Sequence, residues 1–321
     1  DAGCGRIDIT QFQTDIFFAG TQRFLCSRLE FPLRAGSLCA RYVMAGSLNS
    51  AELNEYQERG ILFPLPVMSA AEAAGYLDAA NQLEEALGGN CKPVELSQMH
   101  LYYQWAHELI THSGILDAVE SILGEDLIVW SAGLFPKHPG QGTIVGWHQD
   151  GTYWNLDSQQ VVTAWLALSE SNAANGCMRV IPGTQEWSIQ PHRDTYSETN
   201  GLSRGQEVET EFPEDEALDV VLSPGQMSLH HVNLVHGSGP NTSQQQRTGY
   251  AIRYISPQVK QTGKEAPTGV LVRGEDRYGN YQLSGPPASL SPEESLARMQ
   301  EAARSQLAAV MQDTDLPRDK E

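Results

Sequence analysis

Apolar positions along the first third of the chain recur at helical spacing. Ser69-Ala-Ala-Glu72 has the form of a capping box, Leu77, Ala80, Leu83 and Leu87 follow on one face, and Gly88-Gly89 stops the run. The same period predicts a helix over 97–112, with Met99, Tyr102, Trp105 and Leu109 on one face, and another over 115–123 closed by Gly124. His107 and His112 fall on this region and read as structural or surface residues. Further upstream, a short helix capped by Ser50 and ended by Gly60 is expected.

From about residue 126 the pattern changes to short runs rich in Val, Ile, Thr and aromatics, bounded by Gly, Pro, Asn or Ser. These are DLIVWSAGLF, TIVGWHQD, VVTAWLAL, CMRVIPG, LDVVLSPG, MSLHHVNLVHG and TGYAIRYIS. Seven or eight short strands at this spacing predict a sandwich or jelly roll and not a parallel βαβ sheet. The acidic stretch 185–216 has no period and reads as a long loop or lid. After an irregular segment over 258–290, Ser291-Pro292-Glu293-Glu294 starts a final helix over 291–312 with Leu296, Met299, Ala303 and Val310 as its stripe. The expected layout is therefore a helical lead-in over 44–125, a β core over 126–257 and a C-terminal helix, forming one domain over 44–321. Residues 1–43 hold three of the five cysteines and no lysine. They read as a disordered leader or translated upstream region, with a weakly amphipathic targeting peptide as the lesser option.

Composition narrows the functional classes. With 321 residues and 40% hydrophobic positions the chain can bury a sizeable core. A net charge of −19 disfavours nucleic acid and anionic membrane surfaces as partners, leaving small molecules. No run reaches the roughly 18 apolar residues of a membrane span. The cysteines show neither a metal spacing nor a disulfide framework. A cytoplasmic monomer or homodimer is the expectation.

The chemistry centres on WHQDGTYW, residues 147–154. In an extended segment His148 and Asp150 point the same way and Gln149 points back, so two ligands can meet one ion. Alone, such a pair is as consistent with a hydrogen-bonded turn. LHHVNLVHGSGPN adds His230, His231 and His236. Of these His236 is the best third ligand, because it ends an apolar run at a glycine-rich strand mouth, while His230 and His231 read as one packed inward and one facing out. Two histidines and a carboxylate leave the opposite positions of the ion open, the ligand set of non-haem Fe(II) oxygenases. Arg247 enters TGYAIRYI where it can hold the far carboxylate of a dicarboxylic 2-oxo acid with a bidentate fork. Arg253, deeper in the same strand, reads as a structural pairing. Trp147, Tyr153 and Trp154 are candidate cavity walls or plain packing residues, and His192 and Arg193 are either contacts to a substrate anion or a solvated loop pair.

Taken together, His148-Gln-Asp150, the NGCMRVIPGT run at 175–184, His236-GSGPN and Arg247 resemble the phytanoyl-CoA dioxygenase family of Fe(II)/2-oxoglutarate-dependent oxygenases, over roughly residues 48–280. The resemblance implies a double-stranded β-helix, a mainly β jelly roll with flanking helices. It implies His148, Asp150 and His236 as iron ligands and Arg247 on the distal carboxylate of 2-oxoglutarate, with the Ser238 hydroxyl beside it. Lys137, in FPKHPG, resembles the family lysine near the cosubstrate, and Trp165 is either an aromatic lining that pocket or a core tryptophan. O2 is the implied oxidant and ascorbate a supporting reductant. Related halogenases carry a small residue in place of the carboxylate ligand, so Asp150 implies hydroxylation. Gln226 departs from the acid that many members carry after the Pro-Gly turn. Two alternatives stay open from the residues alone: a cupin-like zinc or manganese hydrolase or isomerase, and a non-catalytic jelly-roll binding module.

Overall fold

The computed structural model describes residues 46–310, apart from Asn90, Tyr153 and 263–266. The expected leader over 1–43 lies outside the described residues. In chain order the regular elements are α1 (Ser50–Arg59), β1 (Ile61–Pro66), α2 (Ala70–Ala86), α3 (Gln104–Ile110), α4 (Ser113–Leu123), β2 (Leu127–Lys137), β3 (Val145–His148), β4 (Val161–Ala167), β5 (Met178–Val180), β6 (His192–Asp194), β7 (Gln206–Val208), β8 (Leu218–Val220), β9 (Gln226–His231), β10 (His236–Ser238), β11 (Arg247–Ile255), β12 (Thr268–Arg273), β13 (Gln282–Leu283) and α5 (Pro292–Val310).

Helix starts follow local chemistry. The side chain that caps α1 is Asn49, one residue before the expected Ser50: its carboxamide oxygen accepts from the Ala51 and Glu52 amides while Glu52 reaches back to the Asn49 N–H. Ser69 accepts from the Glu72 amide at the start of α2, and Ser291 exchanges two bonds with Glu294 at the start of α5. The helix expected over 97–112 is broken. A single 3-10 turn at Met99–Leu101 precedes the seven-residue α3, because Tyr103 takes extended backbone angles as the cap of that helix.

Two sheets face each other. The larger runs in the order β1-β9-β4-β11-β2-β12-β13 and the smaller in the order β3-β10-β5-β8. Alternation along the central strands assigns their faces. Val162, Ala164 and Leu166 of β4, Met227 and Leu229 of β9, and Tyr250, Ile252 and Tyr254 of β11 join the helices in the main core. Trp165, Ala167 and Ala251 turn inward to meet Met178, Val180 and Val220 of the smaller sheet. Both faces of β4 and β11 are thus covered, which accounts for their nearly continuous apolar runs. The Tyr254 hydroxyl donates to the Ile110 carbonyl at 3.0 Å, tying β11 to α3.

Four further segments depart from the sequence expectation. ILFPLP, within the nominally helical lead-in, is strand β1. Its two prolines are tolerated because it lies at the sheet edge, where a missing N–H leaves no ladder bond unmade. MSLHHVNLVHG is not one strand but two, β9 on the large sheet and β10 on the small one, joined by a turn over 232–235. The acidic stretch 185–216 contains a β6–β7 hairpin, and β12 lies inside the segment expected to be irregular. Among the described residues no helix is long and apolar enough to cross a membrane.

Candidate functional site

The split of MSLHHVNLVHG builds the site. It sends His230 to the inner face of the large sheet and His236 to the small sheet, so that the two rings face each other with centroids 5.0 Å apart. His236 pairs with His148 across β10 and β3, and their rings are 4.2 Å apart. β3 ends at His148, and Asp150 opens a 3-10 turn held by the Gly151 N–H to the Val232 carbonyl at 3.0 Å. The Asp150 carboxylate therefore reaches the histidines from a turn and not, as an extended segment would have it, from the strand itself. Its Oδ1 lies 3.4 Å from His148 Nε2 and 4.0 Å from His236 Nε2. One ligand atom from each of the three residues lies within 4.8 Å of the others, and all three side chains are buried.

Ring tautomers follow from the acceptors. His148 Nδ1 lies 2.8 Å from the Gly146 carbonyl and His236 Nδ1 lies 2.9 Å from the Leu234 carbonyl. A carbonyl can only accept, so both Nδ1 atoms carry the proton and both Nε2 lone pairs face the cavity. Burial and the neighbouring His148 push His236 down to about 3. Burial by itself would raise Asp150, but the close approach of His148, His230 and His236 and the charge of Arg253 hold the carboxyl well below the usual range. Two imidazole lone pairs and one anionic oxygen converging on a point form a donor set for a divalent ion, with bonds of about 2 Å.

The cavity in front of these residues has a volume of about 60 Å³ and is lined also by Phe135, Thr163, Trp165, Met178, His230, Ser238, Arg247, Ala251 and Arg253. Residues 247, 249, 251 and 253 share the inner face of β11, which brings two arginines to one cavity. Arg247 is buried, its guanidinium 5.3 Å over the Trp165 ring and its Nε without a partner. Such an orphaned buried donor suits a carboxylate from a bound molecule. Trp165 both lines this cavity and packs in the inter-sheet core, so the two readings of it are one arrangement.

Lys137 sits opposite Arg247 in the β2–β11 ladder. It does not line the cavity. Its Nζ lies behind Ser238, bonding the hydroxyl at 2.6 Å and the carbonyl at 3.2 Å, and the Gly239 carbonyl as well. Burial and the nearby Arg247 push it down to about 6.

The other residues singled out in the sequence divide between the cavity and its surroundings. His230 lines the cavity, its Nε2 3.9 Å from Asp150 Oδ2, whereas His231 turns its Nδ1 to the Asn233 amide. Gln149 does point away from the histidines, and its carboxamide joins the Asn233 carbonyl at 2.8 Å and the Gln190 N–H at 2.7 Å. His192 donates from Nδ1 to the Gln190 carbonyl and accepts the Gln149 N–H at 3.1 Å, while Arg193 is an exposed partner of Glu207. Trp147 packs against Phe212 and Arg179, outside the cavity. Trp154 stacks on Trp130 and Arg253. Tyr153 lies outside the described residues.

Comparison with known proteins follows this geometry. A family model described as phytanoyl-CoA dioxygenase (PhyH) matches residues 56–249. The chain is 28% identical over 227 residues to a probable alpha-ketoglutarate-dependent hypophosphite dioxygenase of Stutzerimonas stutzeri, covering 63% of this chain and 77% of that one. It spans about half the length, or less, of the curated phytanoyl-CoA dioxygenases it matches. Among solved structures, the apo form of the non-heme monooxygenase ThoJ superposes with a TM-score of 0.70 at 32% identity, covering 81% of this chain and 99% of that one. CytC3, in a structure with Fe(II) and alpha-ketoglutarate, shares the fold with a TM-score of 0.57 at 23% identity, covering 75% and 94%.

Proposed function

The chain belongs to the phytanoyl-CoA dioxygenase family, and from that premise we propose that it hydroxylates an unactivated C–H bond of a small molecule, with Fe(II) held by His148, Asp150 and His236 and with 2-oxoglutarate as cosubstrate. It is a 2-oxoglutarate-dependent dioxygenase, as its relatives are. The observation that carries the assignment of roles is the coexistence, in one cavity, of two cavity-facing Nε2 atoms, a buried carboxylate and the Arg247 guanidinium with its orphaned Nε.

Bound together, Fe(II) and 2-oxoglutarate would supply the oxidising chemistry: one atom of O2 ends in succinate as CO2 leaves, and the other in the hydroxyl of the product. The residues of the chain do the rest. The Gly146 and Leu234 carbonyls fix both imidazoles in the donor tautomer, so neither ring has to shed a proton to bind the ion. Arg247 takes the distal carboxylate of the cosubstrate in a fork oriented by Trp165, with the Ser238 hydroxyl, itself held by Lys137, alongside. Phe135, Met178 and Ala251 keep the reacting centre apolar and dry.

The test is to supply purified protein with Fe(II), ascorbate and 2-oxoglutarate and to follow succinate, first alone and then across a panel of small molecules. Substrate-stimulated succinate with a hydroxylated product is the expected result. No succinate under any condition, with zinc retained tightly through purification, would overturn the proposal.

A further inference from the structure

The role of Arg253 is not explained by the cosubstrate. It lies six residues beyond Arg247, about 20 Å further along β11, in the row where His230, Thr163 and Arg253 are ladder neighbours. Both arginines line the same cavity, as does Asp150. The sequence reading of Arg253 as half of a structural ion pair is not met: among the described residues no carboxylate lies within 4.0 Å of it, and its solvent-sequestered Nε has no hydrogen-bond partner. What holds it is aromatic, since its Cζ sits 5.3 Å from the Phe135 ring and 5.6 Å from the Trp154 ring. Contact through ring faces fixes the plane of a guanidinium and leaves its in-plane N–H groups for a ligand.

Charge points the same way. A divalent ion, the Asp150 carboxylate, a dicarboxylate cosubstrate and Arg247 already sum to neutrality, so Arg253, which feels the Asp150 charge without pairing to it, adds an uncompensated positive charge to a cavity sheltered from water. A buried charge of this kind is costly unless something pairs with it.

We propose that the primary substrate carries an oxyanion, a carboxylate or a phosphonate-type group, that seats on Arg253 and so places the reacting C–H bond over the triad on the side away from Arg247. The proposal deepens the oxygenase reading and rests on it. It makes Arg253 the residue that selects for substrate charge, as Arg247 selects the cosubstrate.

The test uses the full chain loaded with Ni(II), which keeps the chemistry silent, and saturated with 2-oxoglutarate. Butanoate, propylphosphonate and the neutral butanamide are titrated by calorimetry, with wild type, Arg253→Gln, Arg253→Lys and Arg247→Gln compared after their melting curves establish that each is folded. The expected result is at least about tenfold tighter binding of one of the two anions than of butanamide, the span of one charge-assisted hydrogen bond. Arg253→Gln erases that preference while leaving the Kd of 2-oxoglutarate within about twofold, and Arg253→Lys restores part of it. Equal binding of both anions and the amide by wild type overturns the proposal. So does an Arg253→Gln variant that loses 2-oxoglutarate as severely as Arg247→Gln, which would make Arg253 a cosubstrate residue. If wild type binds no 2-oxoglutarate yet shows an anion preference that depends on Arg253, the oxygenase reading falls and the anion site stands.

Discussion

Gly249 tests whether the core and the cosubstrate pocket are one structure. It lies on β11 between Phe135 and Ala167 in the ladders, and a Cβ built there falls closer than 3.0 Å to Cζ2, Cε2 and Cη2 of Trp165. Those atoms belong to a rigid ring, and ordinary contact starts at 3.4 Å, so a single methyl forces the indole back by about 1 Å or more. Overpacking of this kind destabilises by about 1–3 kcal/mol, and the size of the overlap puts Gly249→Ala near the top of that range. Because the same indole lies under Arg247, its retreat also disturbs a cation–π contact of about 0.5–2 kcal/mol. The Kd of 2-oxoglutarate should therefore rise by roughly tenfold. Trp165→Phe removes the part of the ring that the new methyl would strike. The double variant should then be little less stable than Trp165→Phe alone, with a coupling of about 2 kcal/mol between the sites. Guanidinium unfolding gives the stabilities and calorimetry on Ni(II)-loaded protein gives the affinities. Two destabilisations that add to within about 0.5 kcal/mol, or an unchanged Kd for 2-oxoglutarate in Gly249→Ala, would refute the coupling of packing to binding.

Asp150→Ala should lose iron on dialysis and abolish succinate formation while keeping the fold, as checked by metal content and circular dichroism; full activity in the variant would refute the ligand assignment. Arg247→Gln gives up two charge-assisted bonds worth about 1.5–3 kcal/mol each, so the KM for 2-oxoglutarate should rise by about a hundredfold or more with a smaller effect on kcat. Lys137 adds a pH dependence whose sign is fixed by its depressed pKa. Below about 6 it is already an ammonium, whereas above that pH an incoming dianion draws a proton onto it, so 2-oxoglutarate affinity falls as pH rises. Asp150 and His236 stay deprotonated across this window, so protonation of these two side chains does not mask the effect. Calorimetry in buffers of different ionisation enthalpy should show proton uptake near pH 7 in wild type and none in Lys137→Met.

The parts of the fold legible in the sequence are those in which one local rule decides. Short runs of β-branched and aromatic residues between turn formers mark VVTAWLAL and TGYAIRYIS as strands, and the caps at Ser69 and Ser291 indicate helix starts. Legibility fails where a distant partner decides. ILFPLP falls within the expected helical lead-in because nothing local says that it will lie at a sheet edge, beside only β9. MSLHHVNLVHG reads as one strand because its apolar run is continuous, although Asn233, whose side chain and carbonyl bind Trp187 and Gln149, marks where the chain changes sheets. The same error hides His230: with the run split, it faces His236 across the cavity instead of lying three repeats of the pleat away from it. Arg253 was misread for the opposite reason, since a buried arginine ordinarily implies a carboxylate partner and here the neighbours are aromatic rings.

Gln149 and His192 join two things that the chain keeps far apart in sequence. The amide and carboxamide of Gln149, between His148 and Asp150, hold the segment 188–192 that leads into the β6–β7 hairpin. An interaction between two binding-competent elements is reciprocal: if loading the triad tightens this clasp, then anything that settles the hairpin must tighten the hold on the ion by the same factor. Occupancy of the buried centre then becomes readable from outside, as the rate at which a protease cuts the loop of residues 195–205 between β6 and β7.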